Sequence, residues 1–103
     1  MRIIVLFNLH KDVAPDAYEA WAKGTDMPTV RGLPSVAGFE VSATTGLFGS
    51  DARPPYQYIE VIDVADMDQF GQDISTAEMQ RIAAEFQTFA DGPIFITTRN
   101  LDA

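Results

Sequence analysis

Cysteine is absent from the 103 residues, which removes disulfides, thiolate metal sites and cysteine nucleophiles. Histidine occurs once, as His10. A His-based metal cluster is therefore excluded, and a Ser-His-Asp triad would have to use that one ring without any elbow sequence to support it. No Gly-rich phosphate loop follows a strand, so no metal, flavin or nucleotide cofactor is expected. Cations are scarce: seven Lys and Arg stand against fifteen Asp and Glu, for a net charge of −8 and a pI near 4.3. Nucleic-acid binding needs phosphates neutralised, and no basic stripe exists to do it. The acidity is dispersed, as on a solubilising surface. Long apolar runs are missing as well. After Arg2 the apolar stretch Ile3 to Phe7 is only five residues, too short for a signal h-region or a membrane span, and a cytoplasmic protein with no membrane partner is expected.

What remains is an ordinary globular composition, 47% hydrophobic and 21% charged, in a chain long enough for one domain, residues 1–103, with a thin core. No linker or repeat interrupts it. Met1 to His10 reads as a central strand buried on both faces. Pro15 opens a helix whose stripe is Ala14, Ala17, Tyr18, Trp21 and Ala22, and Lys23-Gly24 is expected to close it. A second helical piece is expected from Met27 to Leu33, with Asp26 placed to cap it. Strands follow at Val36 to Thr45 and Tyr56 to Val64, separated by the Gly- and Pro-rich loop Gly46 to Pro55, which also carries Leu47 and Phe48. Asp66 begins a helical turn. Ser75-Thr76-Ala77-Glu78 has the form of a capping box before a helix presenting Met79, Ile82, Ala83, Phe86 and Phe89. That helix should stop at Asp91-Gly92-Pro93, with the last strand over Ile94 to Arg99.

The order β-α-β-β-α-β predicts an α+β ferredoxin-like fold: a four-stranded antiparallel sheet with its helices on one face. In the first strand both Ile3/Val5/Phe7 and Ile4/Leu6 are apolar. Ile94 and Ile96 lie opposite Phe95 in the last strand, and Ile62 stands beside Tyr58 in the third. One helical layer covers one side of a sheet only. The other side needs a cover, which a second copy of the chain supplies in a dimeric α+β barrel, a homodimer packed through its sheet faces.

The candidate chemistry is carboxylate chemistry. Asp26 is either a helix cap or a carboxylate at a pocket mouth oriented by Arg31, five residues on. Glu60 sits mid-strand between Ile59 and Val61, so it is either paired and functional on a covered face or exposed at the dimer rim, with Glu40 and Arg99 as possible partners. His10, at the end of the first strand, is either a surface or capping residue or a proton shuttle at the barrel mouth. Tyr18 and Trp21, with Phe86, Phe89 and Tyr58, either pack the core or wall an aromatic cavity for a planar ligand. Leu47 and Phe48 either lid that cavity or pack on the partner.

Tyr18-Glu19-Ala20-Trp21, then Thr25-Asp26-Met27-Pro28-Thr29-Val30-Arg31-Gly32-Leu33-Pro34-Ser35-Val36, then Phe39-Glu40-Val41 resembles the RedY-like/HapK family of small bacterial proteins associated with prodiginine pigment biosynthesis. Tyr58 to Val64 and Ala84 to Asp91 are similar to it too. More distantly, Tyr-x-x-Trp followed by Leu-Pro resembles EthD-type and stress-responsive dimeric barrels. Those often place a His two residues before the Pro, where this chain has Asp26. The resemblance implies the dimeric barrel fold and a place in secondary metabolism. The leading expectation is a small enzyme that binds an aromatic or heteroaromatic intermediate and promotes a cofactor-free cyclisation, isomerisation or condensation. Asp26 and Glu60 would be its acid/base groups, His10 an auxiliary, and Arg31, Tyr18, Trp21 and Tyr58 its binding residues. A cofactor-free monooxygenase and a non-catalytic carrier or stress-responsive module are the alternatives.

Overall fold

Along Arg2–Leu9 (β1) burial alternates: Ile3, Val5, Phe7 and Leu9 are buried, and Ile4, Leu6 and Asn8 are half-buried. Successive side chains of a strand point to opposite faces, so one face of β1 is covered and the other is not. Tyr58–Val64 (β3) repeats the pattern with Tyr58, Glu60, Ile62 and Val64 on the covered face. The structure, a computed structural model, describes residues 1–102. Val36–Ala43 (β2), β3, β1 and Ala90–Thr97 (β4) form a four-stranded antiparallel sheet in the order β2-β3-β1-β4. This is the ferredoxin-like α+β arrangement expected from the element order. Its register sets Val41, Glu60, Val5 and Phe95 in one row across the covered face.

The helical layer departs from expectation. Pro15–Trp21 (α1) does not end at Lys23-Gly24; it runs through a π-helical turn, Ala22–Asp26, into Met27–Arg31 (α2). Gly24 stops nothing, because its φ is not positive and the helix-end geometry that favours glycine is not formed there. The later helices are Met67–Asp73 (α3) and Ala77–Phe89 (α4). Asp66 caps α3, accepting from Asp68 and Gln69 N–H. At α4 the cap is Thr76, accepting from Met79 N–H at 3.2 Å, one residue later than the Ser75 box predicts. β4 also starts early, at Ala90 rather than Ile94. It tolerates Gly92 and Pro93 because a bulge there sets both against Phe7, with Gly92 at φ 56°, a conformation glycine adopts at no steric cost.

The core between the layers is aromatic. The Phe7 ring lies 5.4 Å from Tyr18, 5.5 Å from Tyr58 and 5.0 Å from Phe86, centroid to centroid. A carboxylate locks the loop before β2: Asp73 at the end of α3 accepts from the Ser35 N–H at 3.0 Å and from the Gln69 amide at 2.7 Å. Hydrogen bonds from Ser35, and then from Gln69, hold the Asp73 carboxyl below the ordinary carboxylate range. Asp73→Ala leaves the Ser35 N–H without its acceptor, and a lower urea midpoint is expected.

The far face of the sheet has no cover from this chain. Ile4, Leu6, Ile59 and Val61 are half-buried there, and Ile94 and Ile96 are 43% and 41% exposed. Ile62 and Tyr58, counted above with the uncovered side, instead face the helices. Among the described residues no helix is long and apolar enough to cross a membrane.

Candidate functional site

Tyr18, Ala22, Asp26 and Val30 are spaced by four and all buried. On a regular α-helix a four-residue step drifts by about 40°, so four such positions would fan round the cylinder. The π turn cancels part of that drift. It closes with the Met27 N–H on the Ala22 carbonyl, five residues back, and its wider turn keeps Asp26 beneath Tyr18, facing the sheet. π turns are rare and concentrate at functional sites.

Asp26 is therefore not a cap. Its backbone is helical, its side chain makes no capping hydrogen bond, and the residue is 5% exposed. The carboxyl lines a cavity of about 140 Å³ between the helices and the sheet, with Glu60 as the other carboxyl. Val30, Phe39, Ile82 and Phe86 supply apolar wall, and Gln87 and Phe95 complete it. Glu60, also 5% exposed, is thus on the covered face and not at a dimer rim. Neither partner suggested for it is there. Glu40 pairs with Val61 on the opposite face, and Arg99 lines a polar cleft of about 350 Å³ at the strand ends with Arg2 and Asp63. That cleft is larger, but it holds none of the candidate acid/base groups. The buried carboxyls mark the smaller cavity as the site.

Burial without a cation dominates the electrostatics. Desolvation alone pushes the Asp26 carboxyl up to about 6. Glu60 rises to about 8, through burial first and the charge of Asp26 second, with the Tyr18 hydroxyl pulling the other way. That hydroxyl lies 3.4 Å from Glu60 Oε2, long for an O–H···O bond. The Tyr18 phenol is driven well above its ordinary range by burial and then by the charges of Glu60 and Asp26. At neutral pH the cavity thus holds one protonated and one ionised carboxyl.

The remaining candidates lie around this centre. Arg31 does not pair with Asp26; its Nε donates to the Phe39 carbonyl at 3.0 Å, tying α2 to β2. Trp21 does not line the cavity. It is held between α1 and α4, its Nε1 donating to Glu85 Oε1 at 2.8 Å, with its ring 6.1 Å from Tyr18. Tyr58 lines a second cavity of about 120 Å³ on the other side of Tyr18, with Lys23 and Glu19. It donates to Glu19 Oε2 at 2.7 Å, and burial, then that bond, raises its phenol. His10 Nε2 contacts the Gln87 carbonyl at 3.0 Å, one residue removed from the cavity wall. Leu47 and Phe48 lid neither cavity; Phe48 is fully exposed at the tip of the β2–β3 loop. Phe95 and Gln87 escaped the sequence reading, since an exposed strand aromatic and a helix amide carry no local signal of a cavity. Among the described residues no group of three His, Asp or Glu is placed to hold a metal ion.

The family model for the REDY-like protein HapK matches residues 1–101. The chain belongs to this family. HapK from Hahella chejuensis is 27% identical, with 96% of this chain and 93% of that one covered at a TM-score of 0.72. Two more distant structures share the fold. One is a dimeric ferredoxin-like protein of unknown function from Thermobifida fusca, 21% identical over 92% of this chain and 85% of that one, TM-score 0.72. The other is SnoaB, a cofactor-independent oxygenase from Streptomyces nogalater, 14% identical over 96% and 92%, TM-score 0.72. No curated protein matches the chain.

Proposed function

We propose that this HapK-family protein is a small enzyme of secondary metabolism, of the prodiginine-like pigment type, that binds an aromatic or heteroaromatic intermediate and moves a proton on it without a cofactor. The observation that carries this reading is the pair Asp26 and Glu60 in one apolar cavity. Two carboxyls whose environments separate their proton affinities divide the work of acid and base. At pH 7 Glu60 carries the proton and Asp26 does not, with values of about 8 and about 6. Asp26 removes a proton from one substrate atom as Glu60 delivers one to another. Nothing is gained or lost overall, as in an isomerisation or in the proton steps of a cyclisation. Afterwards the two carboxyls have exchanged protonation states, and exchange through the cavity mouth resets them. Tyr18 steadies Glu60 in either state.

This assignment predicts a bell-shaped dependence of kcat/KM on pH, with limbs near 6 and 8 set by the free protein, belonging to the coupled pair. Glu60→Gln is expected to lower turnover or pigment output by 10²–10⁴-fold, the usual scale of general acid–base catalysis. Titration with pyrrole and indole compounds, followed by calorimetry, tests binding. A flat response across the panel removes the pocket, and unchanged output from Asp26→Asn and Glu60→Gln, with binding intact, leaves a carrier. The fold shared with the Streptomyces oxygenase supplies the second reading, and oxygen uptake with an electron-rich hydroquinone separates it from proton transfer.

A further inference from the structure

We infer that the cavity takes a planar aromatic cation bearing N–H donors, an amidinium-like or protonated azole group, with the N–H edge on Asp26 and Glu60 and the ring on Phe95. The inference rests on the proposed function and names its substrate class.

A carboxylate buried this deeply ordinarily has a cation or several hydrogen bonds. Here it has neither. None of the cavity's lining residues is Lys, Arg or His. Among the described residues the ion pairs are Arg2 with Asp63 and Arg81 with Glu85, both on the exposed surface. The groups facing the carboxyls are accounted for element by element. α1 gives the Tyr18 hydroxyl, at a long 3.4 Å from Glu60. α4 gives Gln87 as its polar member, β2 gives Phe39, and β4 gives Phe95. Lys23 lines the separate cavity beyond Tyr18, and Arg31 is bonded to the Phe39 carbonyl. The positive charge this site lacks must arrive with the ligand.

Phe95 fixes the shape of that ligand. Register puts it in the row of Glu60 and Val5 on the helix-side face, and it lines the cavity, yet it is 57% exposed. An apolar ring left uncovered at the mouth of an acidic cavity offers its π face to a planar cation, which aromatic rings attract. Docking such a group supplies the Asp26 carboxylate with the cation it lacks, while Glu60 keeps the proton it delivers.

Benzamidinium, benzamide and benzoate are near-isosteric planar probes that differ in charge. At pH 7 benzamidinium is expected to bind at least ten-fold more tightly than benzamide, with benzoate silent, as read by calorimetry. Asp26→Asn/Glu60→Gln should abolish the charge preference, and Phe95→Ala should weaken benzamidinium about ten-fold while Phe95→Tyr retains it. Equal affinity for benzamidinium and benzamide, or no benzamidinium binding in the low millimolar range, overturns the inference. If pyrroles or indoles bind without charge preference while Glu60→Gln still abolishes turnover, this inference fails and the proposed function stands. If charge preference is found but Glu60→Gln leaves turnover intact, the proposed function fails and the cation site stands.

Discussion

Glu60→Gln is expected to raise the thermal midpoint of the protein by about 12–40 °C at pH 9 and by about a third as much at pH 5.5. Burial lifts the Glu60 carboxyl from its ordinary value of 4.5 to about 8 in the folded chain. Between those two values the folded state holds a proton that the unfolded state has released, so stability falls as pH rises through this window. At about 1.4 kcal/mol per unit, the loss is on the order of 3–5 kcal/mol once Glu60 is ionised. Glutamine has the same shape, no charge to bury and an oxygen that can accept from Tyr18, so it escapes the loss. A domain this small moves by about 4–8 °C per kcal/mol, which gives the expected shift. Protomer concentration must be held constant across the series. A parent midpoint that is flat from pH 5.5 to 9 would mean that Glu60 ionises as an exposed carboxylate does, and the acid/base assignment would go with it. The variant expected to be inactive is therefore also expected to be the sturdier one, as when a site retains a group for chemistry at the expense of stability.

Ile4→Asp is expected to turn a homodimer of twice the 11.3 kDa chain mass into a monomer at low micromolar concentration. Ile4 is half-buried on the uncovered sheet face, with Val61 and Ile96 as its register neighbours. Leu6, Ile59 and Ile94 form the adjoining row, so six aliphatic side chains make one patch across three strands. A contiguous apolar face of this kind on a small domain marks an interface. The proposed partner is a second copy, whose face supplies the same six residues in a self-complementary, two-fold arrangement. One substitution acts on both subunits, and each aspartate would be buried unpaired, so a rise of at least 100-fold in the dissociation constant is expected. Sedimentation equilibrium decides it. A parent protein that sediments as a monomer, or a variant that remains dimeric, rules out the sheet face as the interface.

Residue by residue, legibility followed the range of the interactions. Alternation in β1 and β3 and the stripe of α4 are local patterns, and they revealed the topology. Glu60 stood out because a carboxylate in the middle of an apolar strand conflicts with its neighbours, and such conflicts mark sites. Asp26 was legible as either a helix cap or a pocket carboxylate, but the sequence could not choose between the two. Its placement depends on a π turn, for which Ala22-Lys23-Gly24-Thr25-Asp26 carries no propensity signal, and a glycine in that stretch reads most simply as a stop. The expected Arg31 partnership failed for a simpler reason. Five residues along a helix turn through about 140°, so Arg31 does not face Asp26 and ends on a backbone carbonyl of β2. Phe95 needed the register of β4, which the bulge opposite Phe7 shifts by one residue. Long-range pairing of that kind is not written in any local window.

The π turn has an evolutionary consequence. Because the Met27 N–H reaches five residues back to Ala22, the helix carries one residue more than an α-helical path would need. The turn absorbs that residue in place: on a regular helix Asp26, eight residues after Tyr18, would be turned by about 80° from it and away from the cavity. A one-residue deletion between Ala22 and Asp26 is expected to restore regular winding with the carboxyl seven residues after Tyr18 and still within about 20° of its face. The acid–base pair therefore tolerates loss of the wide turn by deletion, whereas straightening the helix at its present length would carry Asp26 out of the cavity.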